Sequence, residues 1–302
     1  MITASLVKEL REKTGAGMLD CKKALEANNG DIDASIDWLR EKGISKAAKK
    51  ADRIAAEGVA AILTKGNKAV ILEVNSETDF VAKNEKFTDM VNELLEVLID
   101  SDAKTVEDAL ELKTSEGTVN DLITARTATI GEKLSLRRFE IVTKKDSEVF
   151  GDYIHMGGKI AVLTVVDGVN EAVAKDVSMH AAAMKPLYVK SEDVPTDVLD
   201  KEKEIMKEQL LNEGKPADRI EGILVGKVKK YYEEVCLENQ IFVKAENKET
   251  VADYVKANGG TITTMVRYEV GEGMEKREEN FAEEVAKQMQ EIKILEYLVF
   301  FL

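Results

Sequence analysis

Apolar residues recur along the chain with two spacings, one near 3.6 and one near 2, and the points where the spacing changes divide it into units. Leu6 and Leu10, then Ala24 and Leu25, then Ile32, Ile36 and Leu39 fall at helical spacing. Thr3 or Ser5 is the expected cap of the first helix, Asp20 opens the second and Asp31 caps the third. Thr14-Gly15-Ala16-Gly17 and Asn28-Asn29-Gly30 break the pattern, and Gly43 stands where a C′ glycine would end the third helix. The prediction is a three-helix bundle of about 40 residues, near the lower size limit for independent stability. From Ser45 to Ala56, Lys46, Lys49, Lys50 and Arg53 make a basic stripe, either a solvated linker helix or a contact for an acidic surface.

Beyond the linker the pattern repeats. Gly66-Asn67-Lys68-Ala69-Val70-Ile71-Leu72-Glu73-Val74 lines up with Gly157-Gly158-Lys159-Ile160-Ala161-Val162-Leu163-Thr164-Val165, 91 positions later. Each is a hairpin turn with a buried-type strand, preceded by another strand, Gly58 to Thr64 or Val149 to His155. A helical pattern follows each, with Phe87, Met90, Val91, Leu94, Leu95 and Leu98 in the first copy and Val173, Val177, His180 and Met184 in the second. Arg138-Phe139-Glu140-Ile141 and Arg267-Tyr268-Glu269-Val270 close the copies as strands 129 positions apart, so the second copy holds about 38 more residues than the first. The insertion reads as two charged helices, Val198 to Glu213 and Ala217 to Glu234, joined at Gly214-Lys215-Pro216. Ile205, Leu210 and Leu211 on one arm face Ile220, Ile223, Leu224, Val228 and Tyr231 on the other, giving a helical hairpin that is a structural arm or a self-association surface. The fold class is α+β.

Composition narrows the chemistry. A hydrophobic fraction of 44% over 302 residues supplies real cores, and 43 basic against 57 acidic residues leave a net charge of -14 that repels a phosphate backbone. No direct nucleic-acid contact is expected. Cys21 and Cys236 are far apart and form no CxxC pair, so neither a disulfide framework nor a thiolate zinc site is expected. Met1-Ile2-Thr3-Ala4 runs into Lys8, Glu9 and Arg11 without an apolar h-region, so no signal peptide is expected and a reducing cytoplasm fits. Ile292 to Leu302 is apolar but carries Lys293 and Glu296 and is short of the ~20 residues of a membrane span. Neither of the two histidines, His155 and His180, has a sequence-local Cys, His or Ser arrangement that would supply a metal site or a base–nucleophile pair, and Gly157-Gly158-Lys159 lacks the spacing of a phosphate loop. The expectation is a protein that is not an enzyme and takes no metal or cofactor.

Glu77-Thr78-Asp79-Phe80-Val81 stands out between a strand and the helix that starts near Asn84. Two readings are open for it. Either Phe80 turns inward while Thr78 or Asp79 caps the helix, or Phe80 is a presented aromatic beside a carboxylate, aimed at a partner's pocket. The matching place in the second copy, Val166-Asp167-Gly168-Val169, has no aromatic.

Two long stretches carry a resemblance: Leu10-Arg11-Glu12-Lys13-Thr14-Gly15-Ala16-Gly17-Met18-Leu19-Asp20-Cys21-Lys22-Lys23-Ala24-Leu25 and Glu73-Val74-Asn75-Ser76-Glu77-Thr78-Asp79-Phe80-Val81-Ala82-Lys83. With His155 to Leu163, Met179-His180 to Lys185-Pro186 and Arg267 to Gly273 in the same order, the chain is similar to bacterial elongation factor Ts (EF-Ts), the guanine-nucleotide exchange factor for EF-Tu. The resemblance implies an N-terminal ubiquitin-associated-like (UBA-like) domain and linker at 1–54 and core subdomains at 55–146 and at 147–185 with 237–272. It further implies a coiled-coil dimerisation insertion at 186–236 and a C-terminal module at 273–302. The Thr78-Asp79-Phe80-Val81 loop would meet the G domain of EF-Tu, the Phe80 ring entering between two helices near the nucleotide and Asp79 helping to disturb the Mg²⁺ site. His155 and its hairpin would touch a second domain of EF-Tu, and the N-terminal domain, with Met18, would brace the G domain. A homodimer or 2:2 complex through the insertion also follows from the resemblance. The tail after Val285 departs from it, being longer and more apolar than the family's short polar helix. An adaptor that binds a small protein through the N-terminal bundle without promoting exchange is the alternative function.

Overall fold

The computed structural model describes residues 2–14, 18–48 and 53–275. Helices α1 (Ala4–Thr14), α2 (Met18–Ala27) and α3 (Ile32–Ala48) come first. Val7, Leu10, Cys21, Ala24 and Leu25 are buried between them, with Ile32, Ile36 and Leu39 packed against that centre. Thr3 takes the first helix start, its Oγ1 accepting from the Leu6 amide at 3.3 Å, and Asp31 Oδ1 accepts from the Ala34 amide at 2.9 Å. Two boundaries differ from expectation. Helix α2 begins at Met18, so Asp20 lies in its first turn, where a carboxylate suits the amide-rich helix end. Gly43 does not stop α3, which continues to Ala48, because one glycine inside a helix costs only about 1 kcal/mol and the sequence beyond it remains helix-compatible. The Gly15-Ala16-Gly17 break and the lysines at 49 and 50 lie outside the described residues.

The first copy of the repeat pairs β1 (Glu57–Lys65) with β2 (Lys68–Ser76) through a two-residue Gly66-Asn67 turn. Helices α4 (Glu85–Ile99) and α5 (Val106–Leu110), the short pair β3 (Lys113–Thr114) and β4 (Gly117–Thr118), and α6 (Val119–Ile130) lead to β5 (Ser135–Thr143). The sheet order is β1-β2-β5, antiparallel. Alternation along β2 sends Val70, Leu72 and Val74 towards Phe87, Met90, Val91, Leu94, Leu95 and Leu98 of α4. Ala69 and Ile71 leave on the opposite face. A strand covered on both faces explains why β2 reads as an unbroken apolar run.

The second copy has the same plan: β6 (Glu148–His155), β7 (Ile160–Asp167), α7 (Glu171–Met184), then α8 (Thr196–Asn212), α9 (Ala217–Val235), α10 (Val251–Ala257) and β8 (Thr261–Glu269), with sheet order β6-β7-β8. Val162 and Val166 meet α7, while Ala161, Leu163 and Val165 turn towards Ala60, Ala69 and Ile71 of the first sheet. The two sheets therefore stack on a shared apolar layer, each with a helix on its outer side. Gly151 lets α7 lie close to β6, since a Cβ there would stand 2.2 Å from the Ala174 carbonyl oxygen. Helices α8 and α9 form the inserted hairpin, with Leu210 and Ile220 fully buried. Ile205 and Leu211 are not in the seam as expected but exposed. Leu210 and Leu211 lie about 100° apart around one helix, so a single partner helix covers only one of them.

Candidate partner-binding loop

Comparing the copies isolates the loop. Strands β2 and β7 end at Ser76 and Asp167, 91 positions apart, whereas the asparagines capping the next helices, Asn84 and Asn170, are 86 apart. The first copy therefore carries five additional residues between strand and helix. Asn84 caps α4 by accepting from the Lys86 amide at 3.0 Å, so neither Thr78 nor Asp79 is needed as the cap. Phe80 is 79% exposed at the tip of this loop. The residues after it form a short 3₁₀ turn, Val81–Lys83, in which Val81 and Ala82 are buried in the α4 core. The loop is thus pinned by Val81 on one side of an outward-facing ring.

The other side is held by carboxylates. Glu132, just past the end of α6, accepts from the Glu77 amide at 3.1 Å and the Thr78 amide at 3.0 Å, and its second oxygen accepts from Thr78 Oγ1 at 2.7 Å. Glu77 answers by accepting from the Lys133 amide at 2.6 Å, and Arg53 reaches the same carboxylate at 3.3 Å. Asp79 pairs with Lys83 at 3.2 Å and remains partly open to solvent.

Below the loop, β2 is anchored by a buried polar network. Glu73 is fully buried and takes Arg137 Nη1 at 2.9 Å, Arg138 Nε at 2.6 Å, the Gly271 amide at 2.8 Å and Asn75 Nδ2 at 3.0 Å. Consecutive strand residues ordinarily point to opposite faces. Here a bulge pairs Glu73 with Arg138 and Val74 with Leu136, leaving Arg137 as the extra residue, and both guanidinium groups reach one carboxylate. Burial pushes the Glu73 pKa up, but the Gly271 amide, Arg137, Asn75 and Arg138 outweigh it and hold the group below its ordinary value. Gly271 adopts φ +72 and its missing Cβ would stand 2.2 Å from the Ala56 carbonyl, so only glycine brings this amide to Glu73.

The remaining expected site residues are dispersed. His155 is exposed at the end of β6, its Nδ1 3.2 Å from Tyr153 Oη, between Ile154 and Met156, which are 43% and 73% exposed. Met18 opens α2, and its side chain lies outside the described residues. His180 is buried: its Nε2 meets Gln240 Oε1 at 3.0 Å and its Nδ1 accepts from the Val243 amide at 3.2 Å. Burial lowers its pKa despite the Gln240 contact, and the ring serves as an internal tie. Burial pushes the Cys236 thiol up to about 11, which leaves little thiolate for nucleophilic chemistry. Among the described residues no group of His, Cys, Asp and Glu could hold a metal ion, and no helix is long and apolar enough to cross a membrane. Sequence reasoning missed Glu132, Lys133 and Arg53 at the loop. The only local trace was a carboxylate directly after the helix-ending Ile130-Gly131 pair.

These features define a duplicated α+β protein with an aromatic loop added to one copy. The family model for elongation factor TS matches residues 77–272, the greater part of the chain, and the protein belongs to that family. The match begins inside the loop and ends one residue beyond Gly271, leaving the N-terminal helices and strands β1 and β2 outside it.

Proposed function

We propose that this chain promotes GDP release from EF-Tu by inserting the Phe80 ring between two helices of the G domain, with Asp79 disturbing the Mg²⁺ environment. The observation that carries this reading is a phenylalanine 79% exposed on a loop tied down at both ends, in a chain of the elongation factor TS family. An aromatic held out in water with its backbone fixed costs little further ordering when it enters a pocket.

Burying one Phe yields roughly 1.5–3 kcal/mol, whereas moving a two-state partner from 1:99 to 99:1 takes about 5.5 kcal/mol of differential binding. Phe80 therefore acts with braces. In this proposal a UBA-like domain at 1–54, with Met18, steadies the G domain, and His155 on its hairpin engages a second EF-Tu domain. Residues 55–146 form one core subdomain, 147–185 with 237–272 the other, 186–236 a coiled-coil dimerisation arm and 273–302 a C-terminal brace. Val81 contributes from beneath as the anchor and Thr78 as the tether. Coupling is reciprocal, so bound nucleotide weakens the factor as much as the factor weakens the nucleotide, and GTP entry releases it.

The test is release of fluorescent GDP from EF-Tu with and without this protein. Accelerated release is expected. A release rate unaffected by saturating protein refutes the proposal.

A further inference from the structure

The Phe80 loop is five residues longer than its counterpart in the second copy, and added loop length ordinarily brings added conformational freedom. This loop has little of it. Three donors from Glu77 and Thr78 converge on the single carboxylate of Glu132, two on Oε2 and one on Oε1. The Glu77 carboxylate crosses in the other direction to the Lys133 amide, so two neighbouring pairs of residues, 77–78 and 132–133, clasp each other reciprocally. Arg53 closes the arrangement from the N-terminal side, its guanidinium on Glu77 and its carbonyl accepting from Lys133 Nζ at 3.1 Å. Ser76 Oγ donates to the Thr78 carbonyl at 2.9 Å, fixing the peptide that leads into Asp79 and Phe80.

None of these groups needs to touch a partner. The Glu77 side chain is only 10% exposed, and the amides held by Glu132 are partly buried. What they determine is where the next two residues stand. We propose that Glu132 is a positioning residue for exchange: its carboxylate holds the Glu77-Thr78 backbone so that the Phe80 ring is presented in one place before a partner arrives. This rests on the reading of Phe80 as the inserted group. Releasing the clasp leaves the ring chemically unchanged but spreads it over several positions, and a competent state populated a tenth of the time lowers the yield of productive insertions about tenfold. Docking through the remaining surfaces is unaffected, so the loss falls on the maximal rate and not on the concentration of factor needed for half effect.

The experiment measures fluorescent GDP release from EF-Tu across a range of full-length factor concentrations for the wild type, Glu132→Ala, Glu132→Gln, Phe80→Ala and the Glu132→Ala/Phe80→Ala double variant. Hydrogen exchange of the Glu77 and Thr78 amides is followed alongside. Glu132→Ala is expected to lower the maximal release rate about tenfold with little change in half-saturation, and to lose protection at those two amides. Glu132→Gln, whose amide oxygen still accepts from both backbone donors, is expected to recover most of both. In the Phe80→Ala background the Glu132→Ala change should add nothing, because there is no ring left to position. A wild-type maximal rate in Glu132→Ala with a slow Phe80→Ala overturns the positioning role alone, as does an equal slowing in both backgrounds. A wild-type rate in Phe80→Ala overturns the insertion reading, and the positioning role with it.

Discussion

Phe80 and Phe87 lie seven residues apart in one segment, one 79% exposed and the other fully buried, and truncating each should have opposite consequences. About a fifth of the Phe80 side chain is covered in the free protein. At 1.5–3 kcal/mol for complete burial, Phe80→Ala costs the free protein ~0.3–0.6 kcal/mol. For a chain of this size that is a fall in Tm of about 1–2 °C. Insertion into EF-Tu would bury the remaining four fifths, so the variant forfeits ~1.2–2.4 kcal/mol of the stabilisation that drives release. At 1.36 kcal/mol per tenfold, GDP release at saturating factor slows about 8- to 60-fold. Phe87→Ala removes a ring from the α4 core and should cost about 3–5 kcal/mol of stability, lowering Tm by about 10 °C. Stopped-flow release of fluorescent GDP beside thermal denaturation separates the two effects. An unchanged release rate with Phe80→Ala, or a Tm loss comparable to that of Phe87→Ala, refutes the assignment of Phe80 as a presented wedge.

Glu73→Ala leaves Arg137 and Arg138 facing a vacated site and frees the Gly271 amide, a loss of about 3–5 kcal/mol measurable by denaturant unfolding. Because the folded-state pKa of Glu73 lies below its ordinary 4.5, the stability it contributes is complete above that value and drains as pH falls through the lower folded value. Acid unfolding of the variant should lack that component. His180 also has a folded pKa below its ordinary 6.5, so its contribution is full above 6.5 and is lost as pH falls through the folded value. Thermal scans at stepped pH should show the wild type losing stability below 6.5 more steeply than His180→Gln. Gly151→Ala forces a Cβ against the Ala174 carbonyl and should destabilise the packing of α7 on its sheet by about 1–3 kcal/mol, read from unfolding midpoints.

Much of the architecture is legible in the sequence. The two hairpins, their matched central strands, the apolar face of α4 and the paired helices of the insertion all follow from periodicity and turn residues, because those signals are local. Asp31 and Asn84 mark helix starts for the same reason, as a side chain satisfies an amide two or three residues away. Where local signals compete they mislead: Gly43 has the character of a helix stop yet lies inside a helix, since one glycine is a small cost against the residues on either side of it.

Local pattern alone carries the repeat, its matched hairpins and the place of residues 77–81 between a strand and a helix, whereas α5, the β3–β4 pair and the five-residue excess of that loop emerge only in the folded copies. The sequence left open whether Phe80 points in or out, because the identity of a residue reports how much it gains from burial and not whether a surface is there to cover it. Tertiary structure decided that. Val81 and Ala82 fill the α4 core beside the loop and Phe80 is left outside. Glu132 reaches the Thr78 amide from 54 positions away and Gly271 reaches Glu73 from 198 away. A bulge in β5 turns Arg137 to the same carboxylate as Arg138. The first and third depend on how β2 pairs with β5 within one sheet and the second on how the two sheets stack, properties of the folded chain as a whole that no local pattern contains.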